Sequence, residues 1–360
     1  MNDAPSLHAL LTQGRFLLHD ADHEFLHFIP ITHEMLNQSP FLDHRLSIPA
    51  HTTRYRVGLQ EALAEAGKLG HPLHAPSRYL LHVSHVGSTL VSRVLGLSPA
   101  ALALREPVPL RFLAEQRLLH DDGLGLSSVW LSPREHTALK ALALHCLNRP
   151  VEGRQAITIK CSSWVNVMAD ELLAAVPAAR VVGISVAPEA FLANTLRSEA
   201  GLRDIHGMAP ARLRRLQRLL PGFCHPLHAF DAASLSAMSW LTEMLSIQRA
   251  AASSGAVLRW LDFDEFLNHP AASAEVLAHH LLLPWGSREA DALHKSGLMT
   301  RYAKREQGEP YSAATRQHLL ATFSREHAGS LQRGLNWLQE TLLAHPPARE
   351  ALTPWFARRP

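Results

Sequence analysis

The chain has 360 residues, 47% of them apolar and 19% charged, and a net charge of only +3 with histidine neutral. That length allows one large α/β domain or two smaller ones, and that balance belongs to a folded protein rather than a disordered one. So small a charge argues against a nucleic-acid polymer as partner. Cys146, Cys161 and Cys224 have neither paired nor C-x-x-C spacing, so no disulfide framework is expected and a reducing compartment is. The opening MNDAPSLHALL lacks the basic-then-apolar layout of an export signal. No run of about 18 apolar residues is present to cross a membrane. The expected address is the cytoplasm.

Residues 1–76 are punctuated by proline and histidine and are expected to form a mainly helical N-terminal extension. Their clearest helix is GLQEALAEAGKLG, closed by the glycine after Leu69. Upstream, HEFLH (His23 to His27) has the H-E-x-x-H spelling that places two zinc ligands one helical turn apart with a glutamate between them. A third ligand is missing, because no H-x-x-G-x-x-H continuation follows and Pro30 interrupts the helix. A chain with 24 histidines also writes such a pentapeptide by chance. No metal is therefore assigned, and His19, His23 and His27 are expected to stack on a half-exposed helix face.

After a linker, HPLHAPSR, the pattern changes. RYLLHVS reads as a short apolar strand and GSTLVSRVLGL as a helix, with Leu90, Val91, Val94 and Leu95 at helical spacing. A short strand precedes ALREP, and AITIK (156–160), ARVVGIS (179–185) and AVLRWLDF (256–263) are further strands. Strands alternating with helices imply parallel pairing with right-handed crossovers. The expected fold class is thus α/β: a parallel sheet flanked by helices over 77–345, a C-terminal tail over 346–360, and helical insertions over about 111–154 and 200–250. The insertions are expected to cover a site. Arg212, Arg214, Arg215 and Arg218 in the second insertion read as a solvated basic helix face.

The first strand-to-helix turn, SHVGSTL (Ser84 to Leu90), carries the most chemistry. Gly87 permits a tight turn, and the amides of Gly87, Ser88, Thr89 and Leu90 then crown a helix N-terminus, where the dipole and unsatisfied donors favour an anion. The Ser88 and Thr89 hydroxyls add donors. A triphosphate-hydrolysing P-loop would carry a lysine in G-x-x-x-x-G-K-[ST], and this turn has none.

The stretch YLLHVSHVGSTLVSRVLGLSPAALALREP resembles the opening of the sulfotransferase superfamily, whose P-K-S-G-T-T loop holds the 5′-phosphosulfate of the donor PAPS (3′-phosphoadenosine 5′-phosphosulfate). The resemblance puts Gly87, Ser88 and Thr89 on the family's Gly, Thr and Thr, and its lysine on His85, with Val86 and Leu90 flanking. Lys160 is similar in place to a lysine after the third strand and is expected to supply the missing charge. VLRWLDFDEFLNHPAASAEVLAHHLLLPW (257–285) resembles the family's late strand and helix. RYAKREQGEPYSAATR resembles its late basic segment, which implies Arg301, Lys304 and Arg305 as ligands of the donor's 3′-phosphate. The second 3′-phosphate element departs from the pattern: in SVAPEAFLANTLRSE the arginine and aspartate have become Val186 and Ala187. Asn194, Arg197 and Ser198 are then the remaining candidates there.

What the resemblance implies is sulfuryl transfer from PAPS, without a metal, to a hydroxyl or other nucleophile of a small molecule or peptide. Glu106 is the expected general base, with Lys160 and His85 as further catalytic candidates. Two other readings stay open. One is a nucleotide-dependent kinase or NTPase; the other is an inactive sulfotransferase-like binding protein, which would tolerate losses such as Val186 and Ala187. The oligomeric state is left open.

Overall fold

The computed structural model describes residues 4–46, 48–69, 74–122, 131–300 and 312–356. The chain opens with α1 (Leu7–Thr12), the hairpin β1 (Phe16–Ala21) and β2 (Phe25–Pro30), then α2 (His33–Gln38), β3 (Tyr55–Gly58) and α3 (Leu59–Ala66). The three strands pair antiparallel in the order β1-β2-β3. The mainly helical extension is thereby corrected to a small sheet edged by short helices. Phe16, Leu17 and Leu18 in β1 and Leu26, Phe28 and Ile29 in β2 are buried, so these strands face the core on both sides. The Asp22 carboxylate fixes the hairpin turn by accepting the amides of Glu24 and Phe25 at 2.8 and 2.7 Å, the usual service of an aspartate in a turn. HEFLH is therefore a turn running into β2 and no helix face. Four residues along a strand span about 13 Å, too far for His23 and His27 to share an ion, and His27 sits 3.1 Å from Asp22 instead.

The body follows as β4 (Arg78–His82), α4 (Ser88–Leu95), β5 (Ala101–Arg105), α5 (Val108–Asp122), α6 (Pro133–Leu147), β6 (Ala156–Lys160), α7 (Ala169–Ala174) and β7 (Arg180–Ser185). Then come α8 (Pro188–Leu196), α9 (Glu199–Gly207), α10 (Ala209–Leu219), α11 (Ala232–Ser254), β8 (Val257–Asp262), α12 (Phe263–Asn268), α13 (Pro270–His280), α14 (Ser287–Ser296), α15 (Ala313–Glu326), α16 (Ala328–Ala344) and α17 (Pro346–Leu352). Strands β4 to β8 form one parallel sheet in the order β5-β6-β4-β7-β8. The chain leaves β4 for the outer strand β5, returns to β6, and crosses to β7 on the other side. Such a reversal opens a crevice at the carboxyl end of the central strand, where ligands of α/β proteins bind.

Both sheet faces are covered, as parallel sheets require. Tyr79, Leu81, Leu102 and Ile159 bury on one face among Leu17, Phe28, Leu113 and Leu142, so the N-terminal sheet shares a core with the α/β body. Leu80, Val182 and Ile184 bury on the other face with Val91, Phe191, Trp240 and Leu338. Two buried arginines lock the first arrangement. Arg149 donates to the carbonyls of Leu10 and Phe16, each at 2.6 Å. Arg105 donates to those of Leu36, Asn37 and Ser39, and a cation at the carbonyl end of a helix is favoured there.

Two further expectations are corrected. Helix α11 is no excursion over a site, because Ala237, Met238, Trp240, Leu241 and Met244 are all fully buried; a helix apolar on most faces belongs inside. Nor do residues 346–356 form a tail. Leu352 and Trp355 are buried, and Trp355 lies edge-on to Trp240 and Trp260 at 6.4 and 5.7 Å. No described helix is long and apolar enough to cross a membrane.

Burial has a consequence for acid stability. It depresses the pKa values of His19, His33, His136 and His280 below 6.5. As pH falls below about 6.5 the unfolded chain binds protons first, so stability rises with pH across this window. What these neutral rings contribute is present above their unfolded pKa and lost as pH falls through the folded values. Asp22, Asp43 and Asp231, held below 3.8 by hydrogen bonds that outweigh burial, act only in more acid solution. Thermal melts are expected to show the midpoint falling between about pH 7 and about pH 5; a flat profile would contradict the buried neutral rings.

Candidate functional site

The turn between β4 and α4 takes a demanding backbone path. Ser84, His85 and Gly87 all have positive φ, at 77°, 51° and 69°, and for the two non-glycines this costs energy that usually marks a functional turn. Gly87 has a second constraint. A Cβ placed there would lie 1.9 Å from Cζ of Phe263, so the ring of α12 closes the space that a side chain needs. From outside the loop, the Asn194 amide donates to the His85 carbonyl at 2.8 Å.

Helix α4 begins at Ser88, and the first-turn amides of a helix have no carbonyl partner within it. Leu90 corrects one expectation, because its amide closes the turn onto the Gly87 carbonyl at 2.9 Å. Thr89 is the more telling residue. It is 1% exposed, and its hydroxyl has no hydrogen-bond partner in the protein. Native proteins rarely leave such a group unsatisfied, and each exception calls for a ligand, a water or a function. Ser84, His85, Val86, Gly87, Ser88 and Thr89 line a cleft of about 250 Å³, faced by Glu106, Ser162, Ser163 and Trp164.

Glu106 and Lys160 come together, though not as expected. They form an ion pair, and the Glu106 amide also donates to the Lys160 carbonyl at 2.7 Å. Lys160 is completely buried while the Glu106 side chain keeps 22% exposure, so the carboxylate meets the cleft and the ammonium lies beneath it. Lys160 is therefore a neutralised buried charge and no standing cation of the cleft wall. Glu106 has φ of 55°, another non-glycine residue in the left-handed region. Its neighbour Arg105 turns away to α2, as described above.

Among the described residues, the exposed or half-buried basic side chains lining this cleft are His85, Arg45 and Arg111. Arg45 stacks on Phe41 at 3.5 Å and is bonded to Asp43; Arg111 lies 5.0 Å from the Trp164 ring and pairs with Glu115 at 2.9 Å. Neither was foreseen. Arg111 stands five residues beyond Glu106, a weak signal, and Arg45 comes from the N-terminal segment, which nothing in its own sequence assigns to the cleft.

Behind the loop runs a buried polar network. The Ser84 hydroxyl donates to Asp204 at 3.2 Å, and His85 Nε2 lies 3.8 Å from the same carboxylate. Arg212 bridges Asp204 and Glu243 at 3.1 and 2.9 Å, and the Asn166 amide links Glu243 to the His82 carbonyl, each at 3.0 Å. Burial alone would lower the pKa of Arg212, but the two carboxylates outweigh it and raise it. Arg212 and Arg215 are 1% and 8% exposed, which corrects the solvated basic face: this side of α10 holds charges that brace the loop.

The expected 3′-phosphate residues are less convergent. Val186 is fully buried and Ala187 caps α8 without a side-chain bond. Ser198 caps α9 by accepting the Gly201 amide at 3.0 Å. Arg197 is exposed, 3.5 Å from Asn194. Arg301, Lys304 and Arg305 lie outside the described residues.

No family model and no curated protein matches the chain. Solved structures similar to it include sulfotransferase STF9 from Mycobacterium avium, at 13% identity over 74% of this chain and 81% of that one, with a TM-score of 0.38. The sulfotransferase domain of the curacin biosynthetic pathway is similar at 11% identity over 74% of this chain and 98% of its own, with a TM-score of 0.37. That of the Synechococcus PCC 7002 olefin synthase is similar at 14% over 71% and 97%, with a TM-score of 0.38. At these scores the weight of a functional reading falls on the cleft's own residues.

Proposed function

We propose that the protein is a sulfotransferase that takes its sulfuryl group from PAPS. The observation that carries the reading is the buried, unpartnered Thr89 hydroxyl at the start of α4, in a cleft that also holds the Glu106 carboxylate. An anion-binding helix N-terminus facing a carboxylate base is the pairing that group transfer to a hydroxyl requires. The absence of a loop lysine disfavours nucleoside triphosphate hydrolysis.

The donor supplies an electrophilic sulfur and a phosphate leaving group. The amides of Gly87, Ser88 and Thr89 and the hydroxyls of Ser88 and Thr89 would bind its 5′-phosphosulfate, with His85 beside it. The acceptor oxygen bonds to sulfur as the bond from sulfur to the bridging oxygen breaks, adenosine 3′,5′-bisphosphate leaves, and the acceptor's proton passes to Glu106. Once Glu106 is neutral, the positive charge of Lys160 beneath it favours the negative charge gathering on the transferred group. Donors fixed in place before reaction make such a site effective, and the network behind the loop serves that end.

A second reading, a donor nucleotide without the 3′-phosphate, is favoured by the buried Val186. Calorimetric titration with adenosine 3′,5′-bisphosphate, AMP, and ADP with magnesium separates these. Micromolar affinity for the bisphosphate, about −8 kcal/mol, with little for AMP or ADP is the expected result. Equal affinity for AMP would establish the second reading, and magnesium-dependent ADP binding alone would overturn both.

A further inference from the structure

A second, larger cavity lies on the far side of Glu106. It has a volume of about 690 Å³, and Glu106, Arg111 and Ser162 line both it and the phosphate-loop cleft. Glu106 thus stands at the passage between them, where a base must stand if donor and acceptor approach from opposite sides. The other walls come from α5, from β1 through His19, Asp20 and Ala21, and from Asp43, His44, Leu46, Ile48 and Arg54 between α2 and β3. The N-terminal segment, pinned by Arg105 and Arg149, therefore supplies most of the lining residues.

The lining states what it would hold. Polar and charged side chains outnumber the apolar Ala21, Leu46, Ile48, Val108 and Phe112, and the volume falls within the range of about 300–1,000 Å³ that holds drug-sized ligands. Two buried polar atoms on the wall lack partners in the protein, Nδ1 of His19 and Oγ of Ser162, and each is satisfied by a ligand that can donate and accept hydrogen bonds. Asp43, Glu106 and Glu115 are paired with Arg45, Lys160 and Arg111, which leaves Asp20 and Arg54 on the wall and no net positive charge to hold an anionic guest. We propose that this chamber is the acceptor site, and that it takes a hydrophilic, polyhydroxylated molecule of neutral or positive charge, of the sugar or amino-sugar class. The assignment as acceptor rests on the sulfotransferase reading; the binding of a sugar does not.

Saturation-transfer NMR on the full chain tests it, with glucosamine, maltose, glucuronate and 4-nitrophenol as probes, in the absence and presence of adenosine 3′,5′-bisphosphate. Glucosamine or maltose is expected to bind, with affinity at least about tenfold lower in Asp20→Ala and Arg54→Ala, two exposed positions whose change leaves the fold and the affinity for the bisphosphate intact. Binding of neither sugar under both conditions, sugar binding undiminished in both variants, or a preference for glucuronate or 4-nitrophenol would each overturn the proposal. Sugar binding without bisphosphate binding would leave the chamber standing and remove the sulfotransferase reading instead.

Discussion

Gly87→Ala is expected to abolish donor binding, lowering affinity for adenosine 3′,5′-bisphosphate by at least about a hundredfold, the scale of losing a preorganised anion donor. The added Cβ meets two obstacles at once. The residue sits at φ of 69°, which costs an L-residue roughly 1–2 kcal/mol, and Phe263 occupies the place of the methyl. The loop must move, and with it the first amides of α4. Thr89→Val separates a distorted loop from a lost ligand contact. Removing a buried hydroxyl that has no partner should leave the free protein as stable or more stable, by up to about 1–3 kcal/mol, while the bisphosphate binds less tightly. A valine variant that binds the bisphosphate as the parent does would sink the loop assignment, whatever the alanine variant does. The opposed signs are the test, since a hydroxyl kept for structure would lose stability when removed.

The loop was legible in the sequence because its information is local. A glycine, two hydroxyl residues and an apolar strand on one side with an apolar helix on the other suffice to specify a strand, a turn and a helix N-terminus. The strands at 156–160 and 179–185 were legible for a related reason: a strand buried on both faces reads as an unbroken apolar run. The N-terminal sheet was not, because its strands carry His19 and His27 among the apolar residues, and an apolar run interrupted by histidine resembles loop or helix. Helix α10 misled in the opposite way. A basic helix on paper is ordinarily a solvated one, and only the approach of Asp204 and Glu243, from α9 and α11, makes burial of Arg212 affordable. Long-range partners of this kind leave no mark on the segment itself. The same holds for Arg45 and for the larger cavity, both of which exist only because two buried arginines bring the first sixty residues against β5, β6 and α5.

The pairing of Glu106 with Lys160 leads to the sharpest separation of stability from chemistry. Glu106→Gln should slow turnover by roughly 10²- to 10⁴-fold with little change in affinity for the bisphosphate, since the carboxylate contributes to proton removal and not to holding the phosphate. It should also destabilise the fold, because Lys160 is buried and loses the Glu106 carboxylate; breaking a buried pair from one side costs about 3–5 kcal/mol, less here because Glu106 remains partly exposed. Adding Lys160→Met to that variant removes the buried charge, and apolar replacement of a buried pair is often close to neutral. The double variant is therefore expected to regain most of the lost melting temperature and none of the lost rate. Melting curves and single-turnover rates on the three proteins decide it. Recovery of rate along with stability would mean that Glu106→Gln acted only through the fold, and the base would have to be sought elsewhere, with His85 and its partner Asp204 first in line.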